Sequence, residues 1–246
     1  MAELFAADKA NLILVARHEE RLRACRSEIE SRHGVRVTVI PQDLSRHDGA
    51  RRLVETIRAQ NLPVDVVVNN AGYGVYGYFH EEPLDAQIGM IDLHCGATTA
   101  LTHAFLPGIL KNKRGGILNV ASTGGFQPVG IENVYCATKA YVVSFTEALA
   151  EELRGRGILV TCLCPGPTET PFFSTPLMKM NLPVKIPRMT SMDVARIGFN
   201  AFKSGDVLCI TGWKNRLLLL GSKFAPRAAV RRAAKLIVQK HFKRQP

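Results

Sequence analysis

Along the chain, short runs of apolar or β-branched residues alternate with longer stretches whose apolar positions recur every three or four residues. Residues 11–17 (NLILVAR), 35–40, 64–69 (VDVVVN), 116–121, 158–164 and 207–211 have strand length and little polar character on either face. Residues 19–32, 48–60, 84–110, 134–154 and 192–203 read as helices, the third of them ending near Pro107 and the turn at 111–114. Residues 1–7 (MAELFAA) look like the last turns of one more helix. Strands without a polar face are covered on both sides, and helices between them imply parallel pairing. The pattern predicts one α/β domain built on a doubly wound parallel sheet. Ligands of such sheets sit beyond the carboxyl ends of the strands, so the loops after each strand carry the functional information.

Composition narrows the picture. A chain of 246 residues, 46% hydrophobic and 22% charged, suits a single buried core. No apolar run approaches the ~18 residues of a membrane span, and the longest in the tail is Leu217 to Leu220. The start lacks the basic and apolar regions of a signal peptide. The six cysteines (25, 95, 136, 162, 164 and 209) form no CxxC pair and no metal-ligand spacing, and mostly sit in apolar stretches. A reducing, cytoplasmic setting is the expectation, with no metal site. The net charge of +11 is concentrated in residues 214–246, which hold ten Lys/Arg and no Asp or Glu. The body is nearly neutral, which argues against nucleic acid as a partner.

The chemistry stands at the strand ends. In Tyr135-Cys136-Ala137-Thr138-Lys139, the tyrosine and lysine are four residues apart on a helix and point to one side. A free phenol is a poor base at neutral pH, and an adjacent ammonium favours its ionised form. Ser122, at a strand end thirteen residues earlier, adds a hydroxyl beside that of Tyr135. Such a trio can carry general acid/base catalysis at a carbonyl or alcohol carbon. Alone, a YxxxK pair also arises by chance on amphipathic helices.

The wider spacing resembles the classical short-chain dehydrogenase/reductase family. Asn69-Asn70-Ala71-Gly72 follows one strand, Ser122 the next, Tyr135-x-x-x-Lys139 lies on the following helix, and Pro165-Gly166-Pro167-Thr168-Glu169-Thr170 follows another strand. The resemblance covers essentially the whole chain and implies a Rossmann-like fold and a nicotinamide cofactor. It makes Tyr135 the general acid/base, lets Ser122 position the substrate oxygen, and has Lys139 hold the nicotinamide ribose. It places Asn70, with Ala71 and Gly72, along the adenosine side. Pro165, Gly166, Thr168 and Thr170 then face the carboxamide and pyrophosphate, and Asp43, with Leu44, the adenine. Cofactor choice has a physical argument as well. A carboxylate closing the second strand would pair with the ribose of NAD, whereas this chain has Ala16-Arg17-His18, and Arg17 suits a 2′-phosphate. NADP(H) is therefore favoured over NAD(H).

Two positions depart from the family pattern. The opening strand and its TGxxxGxG loop, whose amides cradle the pyrophosphate, have no counterpart, and 11–17 corresponds to the second strand. Two strand edges and an apolar slot are expected where that central strand would lie. From this follows the expectation that the natural product begins upstream, or that this chain folds and binds cofactor poorly. The second departure is His94, where the family has an asparagine that holds a water in the proton relay. His94 either takes that role or is packed under the sheet.

The segment 171–190 is apolar and methionine-containing, with Phe172, Phe173, Leu177, Met178, Met180 and Leu182. By the resemblance it is a substrate lid, which points to a small lipophilic carbonyl or alcohol substrate. Tyr73, Tyr76 and Phe79 are expected near the same mouth. Residues 1–213 form the catalytic body and 214–246 a basic amphipathic extension. In the extension, Val230, Ala233, Ala234 and Ile237 share a stripe that can lie on an anionic membrane or pack on the body or a second subunit. The resemblance also implies a homo-oligomer. The reading is thus an oxidoreductase acting on an apolar carbonyl/alcohol pair. The alternative is a catalytically degenerate binding or scaffolding protein of the same fold, peripheral to a membrane.

Overall fold

The computed structural model describes residues 1–170, 172 and 188–239. The chain opens with α1 (Ala2–Ala7), β1 (Leu12–Ala16), α2 (Glu19–His33), β2 (Val37–Pro41), α3 (Gly49–Ala59) and β3 (Val66–Asn69). There follow α4 (Leu84–Ile91), a π-helical stretch (Asp92–Ala97), α5 (Thr98–Asn112), β4 (Gly116–Val120), α6 (Asn133–Glu152) and β5 (Leu159–Cys164). Two short strands, β6 (Thr168–Glu169) and β7 (Met189–Thr190), precede α7 (Ser191–Ser204) and β8 (Leu208–Ile210). Helices α8 (Trp213–Phe224) and α9 (Arg227–Gln239) close the described chain. Most of the proposed lid, 171 and 173–187, lies outside the described residues.

The predicted α/β fold is present, and every ladder is parallel. The main sheet comes in two parts, β1–β2 and β3–β4–β5–β8. Among the described residues no backbone ladder joins β1 to β3, which is where the expected order has its central strand. Side chains span the slot instead. On one face Ile13 and Val15 of β1 pack with Val67 of β3 against Ile57, Ile109 and Ile117. On the other, Leu12 packs with Val66 and Val68 around Phe5, Leu118 and Leu163. Phe5 of α1 meets Phe199 of α7 edge-on, with ring centroids 5.0 Å apart. The two sheets are thus held by non-directional apolar contact, where a strand would have added backbone hydrogen bonds.

A polar network braces the strand ends beneath the cleft. Asn119 is fully buried on β4, accepts from the Asn69 side chain at 2.8 Å, and donates to the Thr146 hydroxyl on α6 at 2.9 Å. A satisfied buried network of this kind fixes the register of β3, β4 and α6 more firmly than apolar packing does.

Two helical expectations change. Residues 84–110 do not form one α-helix: a π-helical stretch separates α4 from α5, and the helix runs through Pro107 to Asn112, capped by Lys113 in the left-handed region. The tail is not a single amphipathic helix either, since α8 precedes α9. In α9, Ala234 is buried beside Val129 and Tyr135 and Val230 is half-buried, so this part of the stripe faces the body. The side chains of Ala233 and Ile237 lie outside the described residues.

Candidate active site

The carboxyl ends of β3, β4, β5 and β8 open onto one cleft of about 1040 Å³. Ser122 follows β4 directly, and its hydroxyl caps the next turn by accepting from the Gly124 N–H at 3.0 Å. Tyr135, in the first turn of α6, is 9% exposed and hydrogen-bonds to the Ser122 side chain. Lys139 lies one turn later. Its Nζ donates to the Val120 carbonyl at 2.9 Å and stands 5.8 Å from the Tyr135 ring centroid. All three residues line the cleft. The serine–tyrosine–lysine constellation read from spacing is therefore brought together.

Its electrostatics differ from the expectation. Burial pushes the Tyr135 phenol up, and the Ser122 hydrogen bond opposes this only in part. Burial lowers Lys139 to about 8. Desolvation is the largest effect on both groups. In these surroundings Tyr135 keeps its proton at neutral pH.

His94 sits in the π-helical stretch, 2% exposed, with its ring 5.9 Å from that of Tyr135. Its Nδ1 lies 2.9 Å from the Thr138 hydroxyl oxygen, and that hydroxyl donates to the Tyr135 carbonyl at 2.8 Å. The single hydroxyl proton being used there, Nδ1 must donate, which leaves Nε2 as a bare acceptor. Nε2 is buried and has no protein partner. Burial, reinforced by the Lys139 charge, holds the ring well below the usual histidine range, so it is neutral. Gly72 borders this acceptor closely: a Cβ there would stand 2.9 Å from Nε2 and 3.7 Å from Lys139 Nζ.

Among the cofactor residues expected from the resemblance, Asn70, Gly72, Pro165, Gly166, Thr168 and Thr170 line the cleft. Gly166 lies against α8, where a Cβ would come within 2.3 Å of Asn215 Nδ2. Ala71 is exposed beside them. These residues leave a cleft that a dinucleotide fits: backbone approaches closely at Gly72, and the buried Nε2 acceptor and the Lys139 ammonium border the same space. The pyrophosphate end has no glycine loop in this chain, and Met1 and Ala2 line the cleft there.

The adenosine residues stand apart. Arg17 is exposed at the end of β1. Asp43 Oδ1 accepts from the Ser45 N–H at 2.9 Å and the Ser45 hydroxyl at 2.6 Å. Burial pushes the Asp43 carboxyl up, but those bonds and the charges of Arg17 and Arg46 hold it below the usual range. Leu44 packs against the core instead of facing the cleft. The expected aromatic mouth is corrected as well. Only Tyr76 lines the cleft, whereas Tyr73 donates to the Ala86 carbonyl at 2.7 Å and Phe79 faces a shallow groove with Ile91 and Cys95.

Sequence reading missed Glu132. It lines the cleft three residues before Tyr135 and hydrogen-bonds to Tyr76. Burial raises its carboxyl to about 7, with the Tyr76 bond opposing. The available signal was its i−3 spacing from the tyrosine, which a solvated helix start explains equally well. Phe172, one of the described residues of the expected lid, places its ring 5.9 Å from that of Tyr135.

The family model described as short chain dehydrogenase matches residues 1–179. A short chain dehydrogenase of Pseudocercospora fijiensis is 33% identical over 172 residues, covering 69% of this chain and 55% of that protein. A very-long-chain 3-oxoacyl-CoA reductase of Coprinopsis cinerea is 34% identical over 152 residues, covering 61% of this chain and 45% of that protein. The chain thus spans about half the length of these two relatives. Among solved structures, a short-chain dehydrogenase from Sphingobium yanoikuyae in complex with NADPH superposes with a TM-score of 0.78 at 27% identity. That match covers 90% of this chain and 86% of the other.

Proposed function

Because this chain belongs to the short chain dehydrogenase family, we propose that it reduces an apolar ketone or aldehyde to the alcohol with NADP(H), Tyr135 giving the proton. The observation that carries this reading is the hydrogen-bonded Ser122–Tyr135 pair on the wall of the cleft, with Lys139 directly behind it. The cofactor supplies the hydride when bound. Pro165, Gly166, Thr168 and Thr170 would face its carboxamide and pyrophosphate, Asn70, Ala71 and Gly72 would lie along its adenosine side, and Arg17 and Asp43 would flank the adenosine end.

The substrate oxygen is oriented by the Ser122 hydroxyl and receives the Tyr135 proton as charge builds on it, which is general acid catalysis. A phenol protonated at neutral pH is the form from which the reductive direction starts. Lys139 anchors the ribose and restores the proton. His94 Nε2, the unpartnered acceptor, holds a water between itself and Lys139, the role that asparagine has in the family. The preference for NADP(H) rests on Arg17 and on the lack of a carboxylate closing β1. An apolar substrate suits a cleft whose wall carries Tyr76, Val129, Phe172, Met189 and Leu218. The Coprinopsis relative, a very-long-chain 3-oxoacyl-CoA reductase, points the same way.

Residues 1–213 form the catalytic body, 171–190 its lid, and 214–246 the extension, of which Lys214, Asn215, Leu218 and Leu219 wall one side of the cleft. The protein self-associates through the outer face of α4 and α6, where Leu84, Ile88, Ile91 and Tyr141 are exposed. The test is calorimetric titration with NADPH and NADH, followed by NADPH oxidation in the presence of an apolar ketone. Binding of NADPH ahead of NADH, with ketone-dependent turnover, supports the proposal. A folded chain that binds neither cofactor overturns it.

A further inference from the structure

Helix α8 carries two apolar faces. Leu219 is 3% exposed and packs inward, whereas Trp213, Leu217, Leu220 and Phe224 are 67%, 58%, 54% and 84% exposed. These four stand at i, i+4, i+7 and i+11, which is a single stripe along an α-helix. Leu218, beside the stripe, is 60% exposed. Lys214 and Arg216 are exposed on the same helix, Arg227, Arg231 and Arg232 are exposed on α9, which follows it, and residues 214–246 contain no acid. An exposed apolar ridge in a segment whose charges are all cationic stands out from a nearly neutral body.

We infer that the outer face of α8 docks on an anionic lipid surface, its ridge entering the headgroup region and its cations meeting lipid phosphates. Charge selects this occupant. A second copy pairing symmetrically through the same ridge would bring two wholly basic tails together, and like charges across an interface are repulsive. An anionic bilayer satisfies the ridge and the cations at once. No helix among the described residues is long and apolar enough to cross a membrane, so the contact is peripheral. The docking face is α8, not the α9 stripe, whose Ala234 is already buried against the body.

The location has a functional corollary. Trp213, Lys214, Asn215, Leu218 and Leu219 of the same helix line the catalytic cleft. Docking therefore sets the cleft mouth against the lipid, and an apolar carbonyl compound passes from the bilayer past α8 to Tyr135. This corollary rests on the proposed reductase function, whereas the docking does not.

The test is co-sedimentation of the full chain with vesicles of phosphatidylcholine alone or mixed with phosphatidylglycerol. The expected result is capture by the anionic vesicles only, reversed by added salt. Trp213, the chain's one tryptophan, shifts its emission to the blue in their presence. Replacing Leu217→Ser, Leu220→Ser and Phe224→Ser together, none of them a cleft residue, lowers the bound fraction about tenfold or more. Turnover of a short water-soluble ketone is unaffected by that change. Should the triple variant fold poorly, replacing Arg216, Arg227, Arg231 and Arg232 by Gln has to abolish capture by anionic vesicles in its place. Docking is overturned by equal sedimentation of either variant, by no sedimentation of the unaltered chain, or by a dimer that the triple variant splits while vesicles are ignored. Capture by anionic vesicles without any turnover leaves docking standing and removes only the reductase reading.

Discussion

The four-stranded and the two-stranded sheets present their ligand residues in opposite ways. Around β4 and α6, Tyr135 and Lys139 are buried, Ser122 is half-buried, all three are hydrogen-bonded, and the Asn69–Asn119–Thr146 network braces them from below. At the end of β1 and β2, Arg17 reaches into solvent, Asp43 is tied to its own loop, and Leu44 serves the core. Proton transfer needs donors and acceptors fixed to within tenths of an ångström in a desolvated setting. Holding a phosphate needs a cation within reach and tolerates water. On the proposed function, the contrast assigns the chemistry to one strand–helix unit, β4 with α6, and cofactor affinity to exposed groups at the end of β1.

That contrast can be broken most forcefully at Tyr135. Tyr135→Phe removes the acid but keeps the packing, so turnover falls by about 10²- to 10⁴-fold while the thermal midpoint hardly moves; retained turnover in a kinetic assay would sink the assignment. A smaller effect is expected at the open end. Loss of a charge-assisted hydrogen bond worth roughly 1.5–3 kcal/mol makes Arg17→Ala bind NADPH about ten- to a hundredfold more weakly, with NADH unaffected in the same titration. An equal loss for both cofactors would mean that Arg17 does not meet the 2′-phosphate. The smallest effect concerns Glu132. Its folded-state carboxyl titrates at about 7 against an ordinary 4.5, so the native protein binds more protons than the unfolded chain in between. Stability from this group is full below pH 4.5 and is lost as pH rises through 7. Glu132→Gln should flatten that slope by roughly 1–2 kcal/mol in denaturant melts taken across the window. An unchanged slope would show that the carboxyl is already ionised in the cleft.

The elements that sequence pattern reveals are those whose burial is symmetric. Strands such as 66–69 and 116–120 are apolar at every position except Asn69 and Asn119, and α3 and α7 have one clear inward side. The Ser122–Tyr135–Lys139 constellation is legible because a strand end and a helical turn fix its geometry by spacing alone. What escapes is structure that obeys a different period or serves two masters. The π-helical stretch leaves no mark in an apolar pattern, although it sets the depth of His94. Pro107 reads as a helix end, yet the helix carries it and continues to Asn112. In α8, leucines that pattern assigns to a core point both inward and outward. Tyr73 and Phe79 resemble Tyr76 in sequence, and only the path of the loop decides that Tyr76 alone reaches the cleft. Asp43 and Leu44 fall at the right place in the chain, but local hydrogen bonds and packing claim them first.

The π-helical stretch at Asp92–Ala97 bears on how the chain tolerates a change of length. A turn closed by bonds to the fifth residue holds one more residue than an α-turn. Deleting a single residue there would not break the rod; it would let the segment relax to a continuous α-helix. Because the wider turn is what absorbs the extra residue, α4 would keep its facing relative to α5. What would be lost is the local widening that holds His94 beside Thr138. Between α4 and α5 the molecule thus has a point of permitted shortening whose penalty falls on the placement of His94, leaving both helices and the sheet in register.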